Sequence, residues 1–175
     1  MILLLLLENY HKKIILYLIL CLTGLIFIIN SSFSANFENN KNLFKKGVSI
    51  YKKASCSSCH FWHANGGNSH GGAAASLRNT QLSFKEIYNV ISCGKPGTNM
   101  PYFSRLFKSN LDCVNYKNKP LEDDKIVVLK GSKLLNNNEI NVLAKFISQE
   151  IKNKTITRKY CEAFFKTEEA CFEYY

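Results

Sequence analysis

The sequence predicts an all-α fold of three main helices, joined by loops and followed by a C-terminal extension. Three stretches with apolar residues at helical spacing carry that prediction. Residues 42–55 hold Leu43, Phe44, Val48 and Tyr51, with Lys45, Lys46, Lys52 and Lys53 on other faces. Residues 83–92 hold Phe84, Ile87, Tyr88 and Ile91, and residues 139–151 hold Ile140, Leu143, Phe146, Ile147 and Ile151. One short piece, Ile126–Leu129, reads as extended.

At 175 residues the chain has the size of about one domain. Near its start, Lys12 and Lys13 precede the apolar run Ile14–Ile29, and a small polar cluster follows at residues 30–35. A basic flank, a short apolar core and a small-residue end read as a secretory signal peptide, cleaved after Ser34. Kept uncleaved, the same segment would be an N-terminal membrane anchor. The expected division is residues 1–34 as signal or anchor, 35–151 as the folded domain and 152–175 as an extension. Cys21 lies inside the apolar run behind Leu20, which is too large for a lipid-attachment box.

Each element has local signals. Gly47 interrupts the first helix. A helical Gly costs about 1 kcal/mol against Ala, so its presence marks close helix contact. Ser83 with Glu86 three residues later forms a capping box for the second helix. Asn138 is the expected cap of the third, over Glu139–Ile151. Residues 61–72 and 93–102 are Gly- and Pro-rich loops, residues 103–137 an irregular insertion. In the tail, a short helix is expected around Lys159–Phe165.

Directly after the first helix stands Cys56-Ser57-Ser58-Cys59-His60. This C-x-x-C-H spacing is the signature of covalent c-type haem attachment. Two thiols one helical turn apart match the two vinyl groups of one haem edge, and the following His lies under the iron as a proximal imidazole. The alternatives are a thioredoxin-like dithiol, half of a zinc site, or chance. A thioredoxin motif follows a strand, whereas a helical stretch precedes this one. A zinc site needs a second close Cys/His pair, and the sequence has none.

Beyond residue 34 the only methionine is Met100, in Gly97-Thr98-Asn99-Met100-Pro101. Its soft thioether suits low-spin haem iron, and Pro101 keeps the stretch out of helix. His63 and His70 are the rival ligands. His63 follows His60 too closely to reach the opposite haem face, and His70 sits in a Gly-rich loop. Of the seven cysteines, Cys93, Cys113, Cys161 and Cys171 remain. Four cysteines allow three pairings, of which sequence order favours Cys93–Cys113 and Cys161–Cys171. Disulfides and haem attachment both fit an exported protein of the bacterial periplasm.

With these motifs the chain resembles a class I monohaem cytochrome c domain over residues 42–151. Gly47-Val48-Ser49-Ile50-Tyr51 is similar to the N-terminal helix pattern of that family, and Leu143-Ala144-Lys145-Phe146-Ile147 to the C-terminal one. The pentapeptide with Met100-Pro101 is the third match. A narrower resemblance, to small exported bacterial cytochromes, rests on Cys93–Tyr102 and Cys161–Phe165. The resemblance implies a cytochrome c-like fold, three main helices around one covalent haem. Gly47 and Tyr51 would then pack on Leu143 and Phe146. The family carries a Pro whose carbonyl orients the proximal His. Ala75 stands there instead, and its carbonyl can still accept from the His60 ring.

The function this implies is single-electron transfer in the periplasm through a haem c ligated by His60 and Met100. Phe61, Trp62, Tyr102 and Phe103 are candidates for the haem wall or simply for core, and Arg78 is a candidate partner of a haem propionate. The implied partners are a dehydrogenase, a quinol-oxidising complex or a terminal oxidase. The alternatives are a fixed haem subunit of a larger oxidoreductase and a haem enzyme or ligand sensor. The formal charge of +10 suits acidic docking surfaces, or reflects an Asn- and Lys-rich composition. No nucleic-acid motif accompanies it.

Overall fold

The computed structural model describes residues 18–23, 40–69, 72–107, 113, 128–165 and 169–174. It divides into two compact units, Met1–Asn42 and Leu43–Tyr175. In the first, residues 18–23 are helical with exposed side chains. Among the described residues no helix is long and apolar enough to cross a membrane. The rest of the expected signal or anchor, residues 1–17 and 24–34, lies outside the described residues.

The second unit begins within helix α1, which runs over residues 40–53. Its buried face is Val48 and Tyr51, as the spacing predicts. Gly47 marks the close contact expected of it: a Cβ there would overlap the ring of Phe146. The rings of Tyr51 and Phe146 meet edge to face at 6.5 Å. A short turn leads into helix α2, Ser57–His60, which ends at Phe61 with φ 59°.

Helix α3 is Phe84–Cys93, and its capping box is formed. The Ser83 hydroxyl accepts from the Glu86 N–H, and the Glu86 carboxylate accepts from the Ser83 N–H at 2.7 Å. Helix α4 is Asn137–Phe146, continued by a π-helical turn, Ile147–Ile151. Its cap is Asn136, not Asn138. Asn136 Oδ1 accepts from the Glu139 N–H at 2.9 Å, and the Glu139 carboxylate accepts from the Asn136 N–H at 3.0 Å. Glu139 at the third helical position selects the residue three before it. In the wider turn that follows, Ile147 and Ile151 are both buried.

The all-α expectation is corrected by two small sheets, which make the fold mixed. Strands β1, Gly67–Ser69, and β2, Gly72–Ala74, form an antiparallel hairpin. Strands β3, Tyr102–Ser104, and β4, Lys130–Leu135, pair in parallel. Neither pair carries the alternation that betrays a strand. The hairpin is all Gly, Ala, Asn and Ser among its described strand residues, and the Ser69 hydroxyl donates across it to the Gly72 carbonyl at 3.2 Å. The second pair lies in the stretch read as an irregular insertion. Its strand β4 begins after the expected extended piece, of which Val128 and Leu129 are described and are not strand.

Both favoured disulfides join in the structure, Cys93 to Cys113 and Cys161 to Cys171. The first bridge ties the end of α3 to the 103–137 stretch. The second closes the tail, where helix α5, Arg158–Phe164, is followed by a 3₁₀ turn, Glu169–Tyr174. The core is shared by α1, α3 and α4, with Phe103, Leu135 and Tyr160 added from β3, β4 and the tail.

Candidate cofactor site

An apolar cavity of about 660 Å³ opens between these elements. That volume falls within the range of small-molecule and cofactor sites. Cys56, Cys59 and His60 of α2 line it, and so does Met100 from the loop after α3. Ala73–Leu77 form one wall, Ile87 and Ile91 of α3 another, and Leu143 and Ile147 the floor nearest α4. The structure thus brings the cysteines expected to attach a haem, the expected proximal ligand and the expected distal ligand to one space, although 40 positions separate His60 from Met100.

The orientation of His60 follows from one bond. Its Nδ1 lies 2.9 Å from the Ala75 carbonyl oxygen. That oxygen can only accept, so Nδ1 carries the proton and donates. Nε2 is then the nitrogen with a free lone pair, the form a metal requires. Burial holds the His60 ring below its ordinary pKa and so keeps it neutral, while the Ala75 contact acts in the opposite sense. The bond that Ala75 was expected to make is therefore present.

The cysteines are unpaired. Burial pushes the Cys56 thiol up to about 12. A reactive dithiol or a zinc ligand needs the thiolate, which an apolar wall disfavours. A thioether carries no proton and no charge, so this environment suits it. Two thiols, an imidazole and a thioether on one apolar cavity are a donor set that a covalent haem would fit. Among the described residues no three His, Cys, Asp or Glu side chains converge as a metal cluster. A haem iron needs none, because the macrocycle supplies four of its ligands.

The loop bearing Met100 is held by its own backbone. The Lys95 N–H donates to the Met100 carbonyl at 3.0 Å, the Thr98 N–H to the Lys95 carbonyl at 3.2 Å, and the Met100 N–H to the Thr98 hydroxyl at 3.2 Å. Gly94 opens the loop at φ 71°, where a Cβ would meet the Tyr102 nitrogen at 2.8 Å and the Met100 oxygen at 2.9 Å. Gly is therefore required twice over, by conformation and by space. Across the cavity, the β1–β2 hairpin closes on this loop: a Cβ at Gly72 would overlap the side-chain amide of Asn99.

Other expected residues fall elsewhere. Of the four aromatic wall candidates only Phe103 lines the cavity. Trp62 packs into the tail, 5.1 Å from Phe165 and 6.2 Å from Phe164 between ring centroids, and Tyr102 stacks on Phe107 at 3.8 Å. Phe61 stacks on His63 at 5.2 Å. Arg78, expected at a haem propionate, is not among the lining residues. It is buried, with Nε donating to the His63 carbonyl at 2.6 Å and Nη1 to the Lys154 carbonyl at 2.7 Å. Nor does His63 line the cavity; its Nδ1 accepts from the Asn65 N–H at 3.1 Å. His70 lies outside the described residues.

The reading from sequence missed Lys95 and Lys130, two exposed cations that line the cavity. Lys130 comes from a strand the sequence pattern does not signal. No protein-family model, no curated sequence and no solved structure matches this chain.

Proposed function

We propose that the protein is an exported c-type cytochrome that carries single electrons between redox partners. One haem would be held by thioether bonds to Cys56 and Cys59, with His60 Nε2 and Met100 Sδ as the axial ligands. The observation that carries this reading is the convergence of those four side chains on one apolar cavity, with His60 already turned by Ala75. A haem so bound supplies an iron that changes by one electron, at a potential set by its axial ligands, burial and hydrogen bonding.

The chain's own residues do the rest. His60 is kept neutral and oriented. Met100 would supply a second protein ligand to the iron, which favours a carrier over an enzyme or sensor. The apolar walls exclude water, which sustains a high potential. Lys95 and Lys130 at the cavity, with the net charge of +10, suit an acidic surface on the partner. The partner classes this fits are a dehydrogenase, a quinol-oxidising complex and a terminal oxidase. The two disulfides support assembly in an oxidising compartment, in keeping with export to the periplasm.

Haem-stain electrophoresis with reduced-minus-oxidised spectra tests the proposal. Wild-type protein expressed with export is expected to retain haem under denaturing conditions and to show a six-coordinate ferrous spectrum. The double variant Cys56→Ala, Cys59→Ala is expected to lose the stain. A wild-type chain that acquires no covalent haem in a host competent for attachment overturns the reading.

A further inference from the structure

Three successive carbonyls follow His60, and each is taken by a different buried donor. The Tyr51 hydroxyl donates to the Phe61 oxygen at 2.9 Å. The Tyr160 hydroxyl donates to the Trp62 oxygen at 2.9 Å. The Arg78 Nε donates to the His63 oxygen at 2.6 Å. All three donors are at least nineteen-twentieths buried, and they come from α1, from α5 and from the segment after β2. We propose that Tyr51, Tyr160 and Arg78 are positioning residues for His60, and that the disulfide-closed tail supplies one of the three.

The need for such a clamp is visible in the backbone. Phe61 and Ala64 both adopt positive φ, 59° and 61°, without being glycine. L-residues hold that conformation only where their surroundings over-determine it. Helix α2 is four residues long and has no side-chain cap. A segment this short does not hold an imidazole by itself. The three donors remove the rotational freedom of the chain directly after His60, so its ring can keep Nδ1 on the Ala75 carbonyl.

The tail is built to present Tyr160. Tyr160 lies next to Cys161, whose bridge to Cys171 is fully buried. Lys52 Nζ of α1 donates to the Ala163 carbonyl at 2.7 Å and to the Phe164 carbonyl at 3.1 Å. The Arg78 guanidinium lies 4.6 Å from the centre of the Tyr160 ring, so two of the donors also hold each other. Burial raises the phenols of Tyr51 and Tyr160 above their ordinary values, so both remain protonated donors at neutral pH.

The proposal rests on the haem reading, and its test separates the two. Wild type, Tyr160→Phe, Arg78→Lys and a control, Tyr88→Phe, are purified with covalent haem confirmed by intact mass. Solvent exchange of the His60 ring N–H is followed by NMR, and the reduction potential is measured. Loss of one buried hydrogen bond from the clamp is expected to speed that exchange about tenfold in Tyr160→Phe. The Ala75 contact, which makes the ring more electron-donating, is weakened, so the potential is expected to rise by up to ~59 mV, the one-electron equivalent of tenfold. Arg78→Lys is expected to move both readouts the same way, and Tyr88→Phe neither. Variants that keep haem and lose thermal stability, with exchange and potential at wild-type values, overturn the clamp and make these residues ordinary packing. A wild-type protein without covalent haem overturns the underlying reading instead.

Discussion

Gly47 of α1 lies so close to Phe146 of α4 that a single added methyl group would enter the aromatic ring. The contact fixes where the two helices cross, and the crossing in turn places Tyr51 and Leu143 at the cavity. Two effects oppose each other at this position. Ala is favoured over Gly in a helix by about 1 kcal/mol. Forcing a methyl into a packed core costs about 1–3 kcal/mol. The overlap is with the ring root as well as its edge, which a rotamer change cannot relieve. Gly47→Ala is therefore expected to lower stability, by up to about 2 kcal/mol net, read as a lower midpoint in thermal unfolding.

On the proposed function, Met100→Ala is expected to keep covalent haem, because attachment would depend on Cys56 and Cys59. It should lose the weak long-wavelength absorption band of a methionine–iron bond and gain rapid binding of carbon monoxide in the ferrous state. Its potential should fall, since Met/His ligation raises it. A variant with the wild-type spectrum and no carbon monoxide binding would remove Met100 from the site.

The bridge between Cys93 and Cys113 spans 20 positions, with Met100 inside the closed loop. On the chain-entropy model such a closure stabilises by about 3 kcal/mol. Cys93→Ser with Cys113→Ser is expected to lose a large part of that in denaturant melts. It should also loosen the ligand loop, seen as faster carbon monoxide binding than in wild type. Peptide mapping of the oxidised protein that finds free thiols at both positions would contradict the bridge itself.

Glu139 holds its carboxyl below the usual carboxylate range, first through the Lys53 ammonium and then through the Asn136 N–H. Because the folded value is depressed, its contribution is complete above the unfolded value and is lost as the pH falls through the folded one. Both partners are partly exposed, which limits the effect to about 1 kcal/mol or less. Glu139→Gln is expected to be less stable than wild type at pH 7 and to approach it below pH ~4, in denaturant melts taken across that range.

Much of the site was legible because its signals are local. The C-x-x-C-H spacing, the lone Met100 beside Pro101 and the capping box at Ser83 are all contained within short stretches. The same is true of the helical faces of α1, α3 and α4. The two sheets were not legible. A hairpin of Gly, Ala, Asn and Ser has no apolar alternation to read, and the β3–β4 pair joins strands separated by a long stretch of sequence. The third helix was read two residues off at its cap, because three successive asparagines, Asn136, Asn137 and Asn138, compete and only the position of Glu139 decides among them.

By itself, then, the sequence determined the C-x-x-C-H motif, the candidate ligands, the favoured cysteine pairs and the three amphipathic helices, since spacing along the chain dictates each of them. Tertiary structure alone decided that Cys56, Cys59, His60 and Met100 share one cavity, that Trp62 faces the tail instead of that cavity, and that Arg78 grips a backbone carbonyl. It also decided that Tyr51 and Tyr160, 109 positions apart, take adjacent carbonyls behind His60. The physical reason is that hydrogen bonds to backbone carbonyls ask only for a donor at the right place. They leave no pattern of residue types, so nothing in the chain announces them until it has folded.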